Sequence, residues 1–225
     1  MSDYTTDDYI QQLQDPNPDV RAYAAFVLGR ARDERIVAPL ITALDDDNAD
    51  VRVRVAEALG TRDEAQVIAP LIARLRHDEQ VDVRRIAARS LGYIETAQAV
   101  PALVAALADD AQEVRSQAAE SLGMIADDAA ATPLIEAFLH DDDATVRHFA
   151  QQSLQTTATT AVAEALADAL QAQDDPVLIC ELIETVVLIG KAHAATTLPA
   201  VAPYRQHGED AVQQMAAWAH NILSA

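Results

Sequence analysis

Five arginines recur through the chain at nearly constant intervals: Arg21, Arg52, Arg84, Arg115 and Arg147 follow one another at steps of 31, 32, 31 and 32 residues. Each comes directly after a valine (Val20, Val51, Val83, Val114, Val146) and lies near acids such as Asp19, Asp50, Asp82 and Glu113. A guanidinium offers five donors in a planar fork, so a row of them could form an anion track or could tie successive loops together. The regularity favours the second use. A ligand makes different demands at different steps, whereas a repeating fold asks the same thing of every unit. The row is therefore expected to be a structural column.

The other candidates for chemistry are weaker. Asp46, Asn48, Asp50 and Glu57 stand at positions one, three, five and twelve of a calcium loop, but Val51 occupies the place where that loop needs glycine. Asp141 to Asp143 begins a similar acidic turn, with Gln152 where a bidentate glutamate belongs. His77 and His140 sit at equivalent helix ends, where they would meet helix C-termini, and His193, His207 and His220 show no ligand spacing. The glycines are too scattered for a phosphate loop, and no G-x-S-x-G elbow occurs. Cys180 is the single cysteine and lies in an apolar stretch, which predicts a buried structural thiol. No catalytic residue, metal or cofactor is expected.

What positions the arginines is an internal repeat. Eight residues after each repeat valine comes Leu28, Leu59, Leu91, Leu122 or Leu154, followed by Gly29, Gly60, Gly92 and Gly123 in four cases and by Gln155 in the fifth. A second apolar run follows: Pro39-Leu40-Ile41 with Leu44, Pro70-Leu71-Ile72 with Leu75, Leu103-Val104 with Leu107, and Pro133-Leu134-Ile135 with Phe138. Apolar residues at i, i+1 and i+4 mark one helix face. Each unit thus reads as helix A, from the acid before the valine as N-cap to the Leu-Gly pair, then helix B from near the proline. The glycine is expected to turn the chain in a left-handed conformation.

The recurrent Val-Arg and Leu-Gly pairs, followed by the Pro-Leu-Ile helix, resemble the HEAT-like repeats of the phycobilin-lyase type. The resemblance is strong over residues 5–155 and looser to about 200. It implies an all-α fold, a right-handed α-α superhelix (a HEAT-like repeat solenoid). Members of this group include scaffolds, chromophore-handling proteins and metalloenzymes. One HEAT-like family, the deoxyhypusine hydroxylases, binds two irons through His-Glu pairs at corresponding places. Here only His148 follows a repeat arginine, Phe149 stands after it, and Ala22, Val53, Arg85 and Ser116 fill that place elsewhere. That site is not expected.

The expected layout is a single solenoid over 1–225: an N-terminal half-repeat at 1–15, five repeats at 16–173, an irregular sixth at 174–204 and a C-terminal capping helix at 205–225. The start, Met1-Ser2-Asp3-Tyr4, shows no basic stretch followed by an apolar one, so no secretory leader is expected. Val177 to Ile189 is too short to span a bilayer and contains Glu181 and Glu184. Its apolarity suggests a dimer contact instead.

Charge bounds the partners. Thirty-six Asp and Glu face 16 Lys and Arg, a net charge of -20, and Lys191 is the only lysine. Such a field repels nucleic acid and anionic membranes and attracts basic partners. It fits either a salt-rich cytoplasm or a high-GC genome that replaces Lys with Arg. The lone cysteine fits a reducing, cytoplasmic compartment. The leading expectation is a non-enzymatic scaffold that binds another protein, basic or helical, on its helix B (concave) face. The residues that vary there are Thr42, Asp45, Ala73, Arg76, Ala105, Glu136, His140 and Asp168. The alternative, which the resemblance implies, is a lyase-like accessory for bilin or cofactor attachment.

Overall fold

The computed structural model describes residues 4–62 and 64–224 (for Lys191, the backbone alone). Met1 to Asp3, the first residues of the expected half-repeat, lie outside the described residues, as do Asp63 and Ala225. Within the described residues there is no strand. The helices are α1 (Thr6–Gln12), α2 (Pro18–Leu28), α3 (Val37–Ala43), α4 (Ala49–Leu59), α5 (Ile68–His77), α6 (Val81–Ile94), α7 (Val100–Ala106) and α8 (Gln112–Ile125). There follow α9 (Ala131–His140), α10 (Ala144–Thr157), α11 (Thr160–Ala172), α12 (Pro176–Leu188), α13 (Ala194–Val201) and α14 (Asp210–Ser224). The chain divides into two compact units, Met1–Ser121 and Leu122–Ala225. In the first, α2 packs on α4 and α4 on α6, while α5 packs on α7; in the second, α10 packs on α12 and α12 on α14, while α9 packs on α11 and α11 on α13.

Helices α2, α4 and α10 start on a side-chain cap, whereas Gln80 at the start of α6 makes no such bond, and the cap is not the acid beside the valine. Asn17, Asn48 and Asp143, three residues before their valines, accept backbone N–H bonds at the starts of α2, α4 and α10. Asp19 and Asp50 sit one step inside, in the first turn, where a negative charge favours the helix dipole. Thr5 and Asp8 form a reciprocal capping box on α1. The B helices α3, α5, α7 and α9 are each entered through one 3-10 turn, Glu34–Ile36, Ala65–Val67, Ala97–Ala99 and Asp128–Ala130. Pro199 lies inside α13, which gives way to a 3-10 segment at Ala202–Gln206.

The repeat valines and leucines form the core. Val51, Val83, Val114 and Val146 are fully buried, as are Leu59, Leu91, Leu122 and Leu154. Burying each leucine contributes about 1.5–3 kcal/mol, so no helix pair can be stable without the next pair to cover it.

The expectation of a left-handed repeat glycine is wrong, and the reason is packing. Gly29 and Gly60 have right-handed helical angles, φ -57° and -65°. In the next three units a left-handed residue comes three places later, at Glu95 after Gly92, Ala126 after Gly123 and Ala158 after Gln155. The glycines are needed for close approach. A Cβ on Gly92 would fall 3.0 Å from the Ser121 Cα, and one on Gly123 would fall 2.9 Å from the Ser153 Cα. Gly29 and Gly60 meet Ala58 and Ser90 in the same way. The serines use the proximity: Ser90 Oγ donates to the Ala56 carbonyl at 2.9 Å and Ser121 Oγ to Ala88 at 3.0 Å.

Gly92→Ala should therefore lower stability by about 1–3 kcal/mol through overpacking against a neighbouring backbone. Gly208→Ala, where a Cβ would meet nothing within 4 Å, should leave the melting temperature unchanged or slightly raised. Thermal unfolding of the two variants beside the parent checks this.

Candidate functional site

Arg21, Arg52 and Arg84 pair forward along the chain, not with the adjacent acids. Arg21 donates from Nε and Nη2 to both oxygens of Asp46 at 2.7 and 2.7 Å. Arg52 does the same to Asp78 at 2.8 and 2.8 Å, and Arg84 to Asp109 at 2.9 and 2.8 Å. The remaining nitrogen, Nη1, reaches back to a turn carbonyl: Arg21 to Asp15 at 2.9 Å, Arg52 to Asp46 at 2.9 Å and Arg84 to Asp78 at 3.0 Å. Arg115 and Arg147 bond the Asp109 and Asp141 carbonyls at 3.1 and 2.8 Å. Asp46 and Asp78 therefore each offer a carboxylate to one arginine and a carbonyl to the next. Their carboxylates also accept the Asn48 and Gln80 backbone N–H at 2.9 and 3.0 Å.

This relay sets the titration of its members. Burial alone would raise the carboxyls of Asp46, Asp78 and Asp109, but the arginine forks and the backbone donors outweigh it and hold all three below the ordinary 3.8. The aspartate hydrogen bonds raise Arg21, Arg52 and Arg84 against the opposing effect of burial. The Nε, Nη1 and Nη2 nitrogens of Arg21, Arg52 and Arg84 are all engaged by carboxylate or carbonyl oxygens of the turns.

Other candidates resolve similarly. Asp46 of the calcium-like loop is engaged by Arg21, and Glu57 by Arg54 and Arg89, each at 2.8 Å. Arg85 pairs with Asp82 at 3.0 Å and Arg74 with Asp45 at 3.0 Å. The His148 ring packs on Phe149 at 5.7 Å, and His140 lies 3.8 Å from Glu136. Among the described residues no group of three or more His, Cys, Asp or Glu could hold a metal. Burial pushes the half-buried Cys180 thiol up, and Glu181 adds to it, so it stays protonated near neutral pH. No helix among the described residues is long and apolar enough to cross a membrane.

Four of the eight varied helix B residues fall on two open grooves. In the first unit, α1 and α3 line a groove of about 490 Å³ with Ile10, Leu13, Ala38, Thr42, Asp45 and Asp46. In the second, α9 and α11 line another of about 490 Å³, with Ile135, Ala161, Ala165 and Ala169 among its apolar lining and Glu136, Glu164 and Asp168 among its polar lining. Thr42, Asp45, Glu136 and Asp168 are exposed in these grooves. Ala73, Arg76, Ala105 and His140 line neither; Arg76, Ala105 and His140 are exposed and Ala73 half-buried. Glu164 went unnoticed in the sequence, although its i, i+4 spacing from Asp168 places both on one helix face.

A row of rings was also missed. Tyr4 and Tyr9 lie 5.8 Å apart, Tyr9 and Tyr23 6.4 Å, and Tyr23 and Phe26 6.4 Å, with the Arg30 guanidinium 5.6 Å from the Phe26 ring. Four of the nine aromatic residues fall before position 27, which was the available signal.

Comparison with known proteins adds to this geometry. The family profile for HEAT repeats matches residues 6–81 and 68–155. No curated protein matches the sequence. Among solved structures, the complex of CpcE and CpcF of phycocyanin lyase from Nostoc sp. PCC7120 has a chain 23% identical, at TM-score 0.62, covering 99% of this chain and 96% of that one. A designed armadillo repeat protein in complex with the peptide (KR)4 is 20% identical, at TM-score 0.56, covering 98% and 100%. Human deoxyhypusine hydroxylase in complex with glycerol is 20% identical, at TM-score 0.50, covering 97% and 96%. At these identities the likeness shows the fold alone.

Two outcomes follow from the relay. Asp78→Asn should cost about 2–3 kcal/mol, because the Arg52 fork loses its charged acceptor at a buried carboxylate. Asp47→Asn, at a side chain 92% exposed, should cost under about 1 kcal/mol despite the same charge change. The relay carboxyls have folded values below their unfolded ones, so their contribution is complete above about pH 4 and is lost as pH falls through the folded values. Chemical denaturation from pH 7 to pH 2 should show that acid loss in the parent and a smaller one in Asp78→Asn.

Proposed function

The chain belongs to the HEAT-repeat family, and from that premise we propose that it is a non-enzymatic scaffold that binds a basic segment of another protein on its helix B face. The observation that carries this is the groove between α9 and α11. Its apolar lining is mostly alanine, which lets a chain come close, and Glu136, Glu164 and Asp168 are all exposed there. The like charges of Glu164 and Asp168 stand one helical turn apart, an arrangement that repels until a cation answers it. The second unit is also poor in cations: beyond residue 121 the chain has only Arg147, Arg205 and Lys191. A segment with spaced Lys or Arg side chains suits both the charge and the small-residue lining. The designed neighbour solved with (KR)4 uses the same general fold for such a peptide. With this reading go a cytoplasmic location, no nucleic-acid binding and no membrane binding.

A second reading has its own observation. The row Tyr4, Tyr9, Tyr23 and Phe26 offers flat apolar faces with Arg30 beside them, which suits a planar tetrapyrrole bearing carboxylates. It agrees with the phycocyanin-lyase likeness. Bilin titration followed by absorbance tests it, and an unchanged spectrum sinks it.

The scaffold reading predicts that labelled (KR)4 binds the chain in a salt-dependent way, measured by fluorescence anisotropy. Glu136→Lys with Asp168→Lys should weaken binding by at least about tenfold, since desolvated charge pairs at an interface centre dominate its affinity. The same charge change at Glu209→Lys with Asp210→Lys should weaken it much less. Equal losses in both double variants would mean that the peptide senses net charge alone, and the groove would be discarded.

A further inference from the structure

Helix α14 carries two apolar rows side by side. Val212, Ala216, Ala219 and Leu223 are buried, on a helix that packs against α12 and α13. One residue earlier in each case, Ala211, Met215, Trp218 and Ile222 repeat the same i, i+4, i+7, i+11 spacing. That spacing lays a single stripe along about three turns of helix, the seam by which one helix accepts another. The second row is open: Trp218 is 44% and Ile222 41% exposed. The neighbouring α12 leaves no such seam, because Ile179, Leu182, Ile183 and Val186 are buried and only Val177 and Leu188, near its two ends, stand exposed as large apolar side chains.

Charge selects what covers the stripe. From Ala211 to Ser224 the helix contains no Asp, Glu, Lys or Arg, in a chain of net charge -20. A basic partner would gain nothing from so neutral a face. A second copy of this chain, repelled by every carboxylate-rich surface, can approach only where carboxylates are absent. The stripe is also complementary to itself. Antiparallel pairing about the point midway between Met215 and Trp218 sets Ala211 opposite Ile222, a small side chain against a large one. It also sets Met215 opposite Trp218, a thioether against a ring. Opposed helix dipoles favour the same arrangement.

We propose that the Ala211, Met215, Trp218 and Ile222 stripe is the interface of a twofold homodimer in which α14 pairs antiparallel with α14 of a second copy. This interface is independent of the helix B grooves. Its reporter is built in, because Trp218 is the only tryptophan.

Sedimentation of the full chain between about 1 µM and about 1 mM, a span of roughly 4 kcal/mol in association free energy, should show a monomer–dimer step. Added salt should strengthen it by screening the mutual repulsion. Trp218 emission should shift to the blue over the same concentration range. Trp218→Glu and Ile222→Glu, both at exposed positions, should retain the parent's circular dichroism and weaken the dimer by at least about tenfold. In a Cys180→Ser background, Ala211→Cys with Ile222→Cys should give an oxidised covalent dimer. A chain that stays monomeric at every concentration and salt overturns the proposal. So does a dimer that persists in Trp218→Glu. A dimer that Trp218→Glu abolishes, but whose paired cysteines never crosslink, overturns the antiparallel arrangement.

Discussion

An arginine fork held between two aspartates of successive turns is the interaction on which the repeats depend. The forks of Arg21, Arg52 and Arg84 close on the carboxylate of the following turn and reach back to the carbonyl of the preceding one, as Arg52 does between Asp78 and Asp46. The three bonds fix a distance and an angle together, which a flexible ammonium could not do, and this is physical reason for arginine at every step. Asp78 is 1% exposed at its side chain, and a carboxylate so placed is tolerable only because the guanidinium and the Gln80 N–H both answer it. The forks hold the loop ends of the units, and the small residues opposite Gly60, Gly92 and Gly123 set how closely the A helices lie.

With the step fixed at the loops and along the A helices, the B helices are left free to carry differences. Positions that would break the repeat if altered (Val83, Leu91, Gly92) are buried, whereas Thr42, Glu136 and Asp168 project into open grooves. Function can then be written on a surface without disturbing the core that presents it. The acidic excess is used in two ways. Asp46, Asp78 and Asp109 are engaged in the relay and neutralised there, and Glu136, Glu164 and Asp168 remain facing solvent.

Much of this was legible in the sequence. The valine, arginine and leucine columns give the repeat length, the helix pairs and the core, because burial repeats with the period of the fold. The irregular places were less legible. The role of the glycines was misread because a Leu-Gly pair at a helix end looks like a turn signal; only the Ser90, Ser121 and Ser153 column one layer on shows that the space is needed for a neighbour. The arginine row was read as tying successive loops together, but the acceptors Asp46, Asp78 and Asp109 were not named, since proximity in sequence hides a bond that spans 25 or 26 residues. The candidate groove was half visible: Glu136 and Asp168 stood out as varied positions, but Glu164 and the alanine lining needed two helices side by side.

The central claim is that a basic segment is held on the B helices by exposed carboxylates over a small-residue lining. Backbone amide shifts of the isotope-labelled chain, followed as (KR)4 is added, test it most directly. The account predicts saturable changes concentrated on α9 and α11 around Glu136, Glu164 and Asp168, with α10 and α12 little affected. Changes centred on the A helices, or drifting without saturation over all acidic turns alike, would contradict it.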